Sequence, residues 1–381
     1  MAHQEIYPHA NTVVAIEDGK LLKQLQYEIL FNAGGLQAAL DELNKMNYFH
    51  SYKYAEPHNY GSMLDWLMTD TFELLRGISP NELIWRIFTL YYDIHNMKLV
   101  AKERLSGQRL NHLALGYGSY SLPTIRSAAV RESDDILENA TLTSGFFKAL
   151  RRKNMHDIDF ILDRTYFSTL KFFAECLGSA GIVAFITERI DLYNISVFFQ
   201  WLALGTPKGY FERAFSGCGS ASLKEWQEHI KVRAPSHEHE HGHEHEHAYE
   251  YQHEHAYEHE HAYEHEQAPQ LDKPGKSIPL EEVWLESIQM DNFPLWRKYS
   301  PHWKNAGDIS QIFNIMDVLI DNYLINRTKS AKLMAFGIEP ICAYFYNKFI
   351  EIKNIRILLK GKETYCDTEE IRKRIRDSYE L

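Results

Sequence analysis

The chain has 381 residues, 45% of them hydrophobic, with four cysteines and a formal net charge of −11. This is apolar content for one large core or two to three smaller ones, and it excludes global disorder. No uncharged apolar run approaches the roughly 20 residues a membrane helix needs, and Met1–Gly19 is polar and acidic rather than signal-like, so a soluble, cytoplasmic protein is expected, able to sit on a membrane assembly as a peripheral component.

In chain order, Val13, Val14, Leu21, Leu22, Leu25, Ile29 and Leu30 recur at three- and four-residue spacings and predict a helical opening. Gly34-Gly35 interrupts it, and Leu36–Asn44 reads as a further short helix. Ser79-Pro80-Asn81-Glu82 has capping-box spacing with proline at the first helical position. Leu83, Ile84, Ile87, Phe88, Tyr91, Ile94 and Met97 then predict a long helix. Ile182, Phe185, Ile186 and Ile190 mark another. Gly337 ends a helix and Pro340 begins the next, whose buried stripe is Ile341, Tyr344, Phe345, Phe349, Ile352 and Ile355. Asp367 and Glu370 have capping-box spacing for a closing helix with Ile371, Ile375 and Tyr379 on one line. Its Arg372, Lys373, Arg374 and Arg376 read as a solvated face rather than an acid-docking one. Period-two alternation is never sustained, so the expected fold class is all-α.

Within these helices one phrase occurs three times. Asp93-Ile94-His95-Asn96-Met97-Lys98, Asp191-Leu192-Tyr193-Asn194-Ile195-Ser196 and Glu351-Ile352-Lys353-Asn354-Ile355-Arg356 read acid, aliphatic, any residue, Asn, aliphatic, polar. Leu64-Asp65, Leu162-Asp163 and Met316-Asp317 form a second landmark, each expected to precede an aromatic-containing helix, and the landmark Asp lies 28, 28 and 34 residues before the phrase acid. A unit repeated at long intervals points to tandem modules. The boundaries drawn are 1–115, 116–235 and 277–381 for three helical modules, with 236–276 as an insert.

The insert is low in complexity. His-Glu-His-Ala-Tyr-Glu recurs at 245–250, 253–258 and 259–264, and 237–267 holds eleven of the twenty histidines and ten glutamates. Setting those glutamates aside leaves 42 acidic against 41 basic residues, so the body is electrically balanced and gives no support to nucleic-acid binding. Such a tract buries no core and is expected to be a disordered excursion. His237, His239, His241, His243, His245 and His247 are candidate ligands for a transition metal, and protonation of the imidazoles below about pH 6.5 would move the tract towards neutrality. A repeat-expanded spacer is the plainer alternative.

Catalytic signatures are missing: there is no GxxxxGK[ST], GxSxG, HExxH or Cys–His nucleophile pattern. Gly116-Tyr117-Gly118 and Gly217-Cys218-Gly219 do not make a nucleotide loop. Cys176, Cys218, Cys342 and Cys366 form no CxxC pair and read as reduced structural thiols. No cofactor is implied. In the phrase, acid and Asn three residues apart share a helix face. They serve either a partner or proton handling, or, in the favoured reading, they satisfy a neighbouring backbone between packed helices. The candidate residues are Asp93, Asn96, Asp191, Asn194, Glu351 and Asn354.

Phe336-Gly337-Ile338-Glu339-Pro340, Ala343-Tyr344-Phe345, the third phrase with Ile357-Leu358, and Gly361-Lys362 resemble the C-terminal signature of the C subunit of V/A-type ATPases, known as d in the eukaryotic vacuolar enzyme. The first two phrases resemble that family's internal repeats, and Val14–Leu22 is similar to its N-terminus. The likeness spans nearly the whole chain outside 236–276. It implies a pseudo-threefold, all-helical funnel without catalytic residues. The funnel would receive the D and F subunits of the central axle at its wide end. At the other it would rest on the membrane rotor ring (the c/K subunits), on the cytoplasmic face of the membrane. The His/Glu tract departs from the family, so the likeness says nothing of it. Ser196 standing where the third copy has Arg356 means no charge there is required in every module. The competing expectations are a metal-handling protein acting through the tract and a helical enzyme.

Overall fold

A computed structural model describes residues 7–49, 56–132, 137, 139–204, 208–229, 309–334 and 336–380. Among these are fourteen α-helices, two 3₁₀ segments and no strand. The helices are α1 (Pro8–Asp18), α2 (Gln24–Asn32), α3 (Leu36–Lys45), α4 (Tyr60–Ile78), α5 (Glu82–Ser106), α6 (Leu122–Arg131), α7 (Ala140–Leu150), α8 (Met155–Leu177), α9 (Ala180–Leu204), α10 (Lys208–Ala214), α11 (Leu223–His229), α12 (Ile309–Thr328), α13 (Glu339–Glu363) and α14 (Thr368–Arg374).

Local chemistry sets several boundaries. Asn81, Asn139 and Asn154 cap α5, α7 and α8, their side chains accepting from the N–H of Leu83, Leu142 and His156. Gly107 and Gly178 end α5 and α8 in the left-handed conformation at φ 73° and 70°. The cap expected at Ser79 is instead Asn81: Ser79 closes α4, its hydroxyl donating to Leu75 O. The closing helix is also shorter than its apolar line. It ends at Arg374, because both backbone groups of Arg376 are taken by the side chain of Asn354, and Ile375 and Tyr379 follow it in non-helical chain. The landmark residues Asp65, Asp163 and Asp317 lie inside α4, α8 and α12 rather than before them.

The three phrases sit on three helices of the same length. α5, α9 and α13 have 25 residues each, and the phrase acid is the twelfth residue of α5 and α9 and the thirteenth of α13. Each phrase helix is preceded by the landmark helix of its own copy, α4, α8 or α12. The connections are short in the first two copies, whereas a 3₁₀ segment Lys329–Leu333 and a loop lengthen the third and account for its longer landmark interval.

Packing between copies follows a cycle. α5 packs on α8, α9 on α12, and α13 on α4, so each phrase helix lies against the landmark helix of the next copy and the last returns to the first. Lys98 Nζ reaches Asp163 Oδ1 at 2.7 Å across the first contact, and Arg356 Nη2 reaches Asp65 Oδ1 at 2.9 Å across the last. At the second, Ser196 carries no charge, and Glu188 on α9 instead accepts from Tyr323 and Arg327 on α12, at 3.1 and 2.7 Å. Rings join the copies further: Phe88 with Phe345 and Phe349, Tyr91 with Tyr166, and Phe185 with Tyr346. α7 lies against α8 where Gly145 meets Thr165, leaving no room there for a Cβ.

Candidate functional site: three backbone clasps

The acid and Asn of each phrase share the packed face of their helix, which puts them out of water. Asp93, Asn96, Asp191, Asn194, Glu351 and Asn354 are all 5% exposed or less. A buried amide must find partners for both ends, and each of these three finds them on one residue of a non-helical segment. Asn96 Nδ2 donates to Leu115 O at 2.8 Å and Asn96 Oδ1 accepts from Leu115 N at 3.0 Å. Asn194 does the same with Ser216, at 3.0 and 2.8 Å, and Asn354 with Arg376, at 3.0 and 2.9 Å. The carboxamide has the donor and acceptor of a peptide group, so it pairs with backbone as one strand pairs with another.

The acid three residues earlier holds the same segment further along in the first two copies. Asp93 Oδ1 accepts from Tyr120 N at 3.0 Å and Asp191 Oδ1 from Ser220 N at 2.8 Å. Glycine is required for this approach, since a Cβ on Gly118 or Gly219 would fall on the Asp93 or Asp191 carboxylate. In the third copy the longer Glu351 instead accepts, through Oε2, from Leu22 N near the start of the chain, while its Oε1 takes Lys348 Nζ at 2.6 Å.

The residue read as arbitrary between acid and Asn also contributes. His95 Nε2 donates to Leu113 O at 2.8 Å and Tyr193 OH to Ala214 O at 3.2 Å, in each case the carbonyl two residues before the clasped one. Lys353 turns elsewhere, to Asp321 Oδ2 at 3.3 Å, and the corresponding carbonyl, of Arg374, is filled by Arg376 itself at 2.8 Å. All three are hydrogen-bond donors, which was readable in the sequence. So was the Gly-x-Gly-Ser that follows Leu115 and Ser216 at once, at 116–119 and 217–220.

Burial shapes the electrostatics. Asp93 is pushed up to about 7 by burial, against the pull of the Tyr120 N–H, the Ser119 hydroxyl and N–H, and Arg86. Asp191 is raised by burial against Ser220 and Lys171. Asp321 shows the reverse balance. Burial acts to raise its carboxyl, but Lys353 and Arg376, the latter at 2.8 Å, outweigh it and hold it below the usual range. Buried Lys362 donates to Phe31 O and Ala33 O at 2.7 Å each, closing the C-terminal end of α2, and burial lowers its ammonium. The basic residues on and just after α14 are largely engaged: Arg372 forks onto Glu28 at 2.7 and 2.6 Å, Lys373 pairs with Glu370, and Arg376 is buried on Asp321.

A recess beside the third clasp, lined among others by Leu22, Tyr27, Asn347, Glu351 and Tyr379, encloses about 230 Å³ including open solvent. That is below the roughly 300–1,000 Å³ of a small-molecule site. No group of three or more His, Cys, Asp or Glu is arranged to hold a metal among the described residues, where all four cysteines are free thiols. His237, His239, His241, His243, His245 and His247 lie outside the described residues. No helix among the described residues is long and apolar enough to cross a membrane.

The arrangement is thus that of a helical scaffold, with the three buried amides of the phrase holding its own backbone. The chain belongs to the ATP synthase (C/AC39) subunit family, whose model matches residues 10–236 and 289–374 and passes over the stretch between, where the His/Glu tract lies. It is 22% identical to the C subunit of the V-type sodium ATPase of Enterococcus hirae over 393 aligned positions, covering 98% of this chain and 99% of that protein. It is also 22% identical to the C subunit of the A-type ATP synthase of Methanococcoides burtonii over 391 positions, covering 97% and 94%.

Proposed function

We propose that this chain is the non-catalytic central-stalk rotor component of a V/A-type ATPase or ATP synthase. In that place it couples the D and F subunits of the axle, on the ATPase sector, to the membrane rotor ring, and so links ion transport to ATP synthesis or hydrolysis. It stands peripheral to the membrane on its cytoplasmic face. Modules 1–115, 116–235 and 277–381 close on one another as a pseudo-threefold funnel, and the acid–Asn pairs are its packing device. The observation that carries this reading is the cyclic packing of phrase helices on landmark helices, α5 on α8, α9 on α12 and α13 on α4. A body that transmits torque must resist being opened, and a cycle of long helices joined at every step resists it better than an open row, where each unit touches only its neighbours.

The test is capture of D–F and of ring-containing membranes by the purified full chain under conditions that preserve ATPase activity. Retention of both is expected; failure to bind either overturns the proposal. The second reading, a metal-handling protein acting through the tract, is favoured only by that tract lying where the family model does not match. Deleting 237–267 separates the two. Rotor coupling predicts unchanged ATP-driven ion transport, whereas loss of the main cellular phenotype with transport intact supports metal handling.

A further inference from the structure

The three clasps differ in one respect that bears on how firmly each is held. Glu351 in the third has a cation in contact, Lys348 Nζ, at 2.6 Å. Asp93 is as deeply buried as Glu351, yet it forms no ion pair among the described residues; its partners are the Tyr120 N–H and the Ser119 hydroxyl and N–H. Ser119 Oγ is also 2.8 Å from Thr89 Oγ1 on the same helix as Asp93. The charged groups facing this site are Arg86, two turns back on α5, and Arg76 on α4, whose Nη2 lies 3.5 Å from Gly118 O. Neither touches the carboxylate. Gly118 packs directly on it, where a Cβ would fall on the carboxylate.

A carboxylate in such a place carries an uncompensated charge, while a carboxylic acid carries none and still offers an oxygen to the Tyr120 N–H. We propose that the first clasp is a proton-operated joint, in which loss of the proton from Asp93 loosens segment 115–121 from α5, while the third clasp, neutralised by Lys348, does not respond. The ligand is a single solvent proton. The carboxyl releases it to water as the segment lifts and takes it back as the segment closes. Asp191 repeats the arrangement, raised by burial against Ser220 and Lys171. This joint is a property of the folded chain and stands or falls independently of the coupling role.

The sign follows from linkage. A carboxyl whose value is higher in the closed clasp than in the open one favours closure at low pH, and that advantage disappears as pH rises through the closed-state value. With about 7 closed and about 3.9 open, closure weakens about thirtyfold between roughly pH 5.5 and 8.5. The experiment is amide hydrogen exchange on the full chain across that range, corrected for intrinsic exchange. Protection over 115–121 should fall about thirtyfold, by about tenfold per pH unit up to about pH 7 and levelling off above it, and the Leu22 amide, which Glu351 holds, should stay level. Asp93→Asn, which keeps the acceptor and loses the charge, should flatten the profile over 115–121. A level wild-type profile, or a pH step that persists in Asp93→Asn, overturns the proposal. Should that variant fail to fold, carboxyl ¹³C titration of aspartate-labelled wild-type chain decides: an Asp93 resonance titrating near the ordinary value of about 3.9 refutes the joint, and one titrating near neutrality supports it.

Discussion

Replacing Asn194 by alanine removes one side chain and strands two backbone groups. Ser216 is 1% exposed, and both its N–H and its carbonyl are met by the Asn194 carboxamide. Each buried group left without a partner costs about 1–3 kcal/mol, so Asn194→Ala should destabilise the chain by about 2–6 kcal/mol. Arg376 is nearly as deep, so Asn354→Ala should fall in the same range. Leu115 is half-buried, and water can take over part of the Asn96 contact, which lowers the expectation for Asn96→Ala to about 1–2 kcal/mol. Asn194→Asp is a stricter probe. It keeps the acceptor for Ser216 N–H but sets an oxygen against Ser216 O and a second buried charge beside Asp191, so it should be no better than alanine. The assay is urea unfolding of the full chain, comparing midpoints at unchanged slope. The ranking is the content of the prediction. If Asn194→Ala and Asn354→Ala both stay within about 0.5 kcal/mol of wild type, the clasps hold nothing and the packing reading of the phrase fails.

Three further outcomes can be checked on the same preparation. Gly118→Ala and Gly219→Ala drive a methyl onto the Asp93 and Asp191 carboxylates and should each cost about 1–3 kcal/mol by urea unfolding, while alanine at Gly116, which has open space around its Cβ position, should cost less. A double-mutant cycle on Arg356 and Asp65 should give a coupling of about 0.2–1 kcal/mol, small because the Asp65 side chain is 40% exposed, and it should shrink in high salt; zero coupling would mean the two sides meet without the ion pair contributing. Asp321 is held below its unfolded value, so its contribution is present above about pH 3.9 and is lost as pH falls through the lower folded value; Asp321→Asn should lose stability at neutral pH and flatten the acid limb of the unfolding curve, and an unchanged acid limb would contradict the assignment.

What was legible in the sequence is what is local. Helical spacing marked α5 and α13 because their buried stripes are carried by residues three and four apart, and the absence of period-two alternation matches a chain without strands among the described residues. The phrase was legible as a repeat, and its acid and Asn as sharing one helix face. Its partners were not, because Leu115, Ser216 and Arg376 lie 19 to 22 residues away in chain that has no periodicity of its own. The closing helix shows the same limit from the other side. Ile371, Ile375 and Tyr379 keep helical spacing, yet Asn354 claims the backbone of Arg376 and the helix stops, so a tertiary contact overrides a local pattern. Gly-x-Gly-Ser was legible too, but only as a failed nucleotide loop; its purpose is to let the chain lie against a carboxylate.

Repeated units alone leave two architectures open, a row and a closed cycle, and the third copy is where they part. In a row the final unit would have a free face and its acid would clasp only its own returning segment. Here Glu351 holds Leu22 N, from the opposite end of the chain, and α13 lies against α1, α3 and α4. Lys362 closes α2, Asn11 Nδ2 donates to Gly337 O at 3.2 Å, and Tyr60 OH donates to Glu363 Oε2 at 2.7 Å. The acid of the third copy serves this join. Glu in place of Asp supplies the extra reach to Leu22. Lys348 neutralises that carboxylate, and Arg356 reaches Asp65 on α4 as Lys98 reaches Asp163 in the first copy. The copy whose acid is Glu rather than Asp is therefore the one that ties the two ends of the chain together.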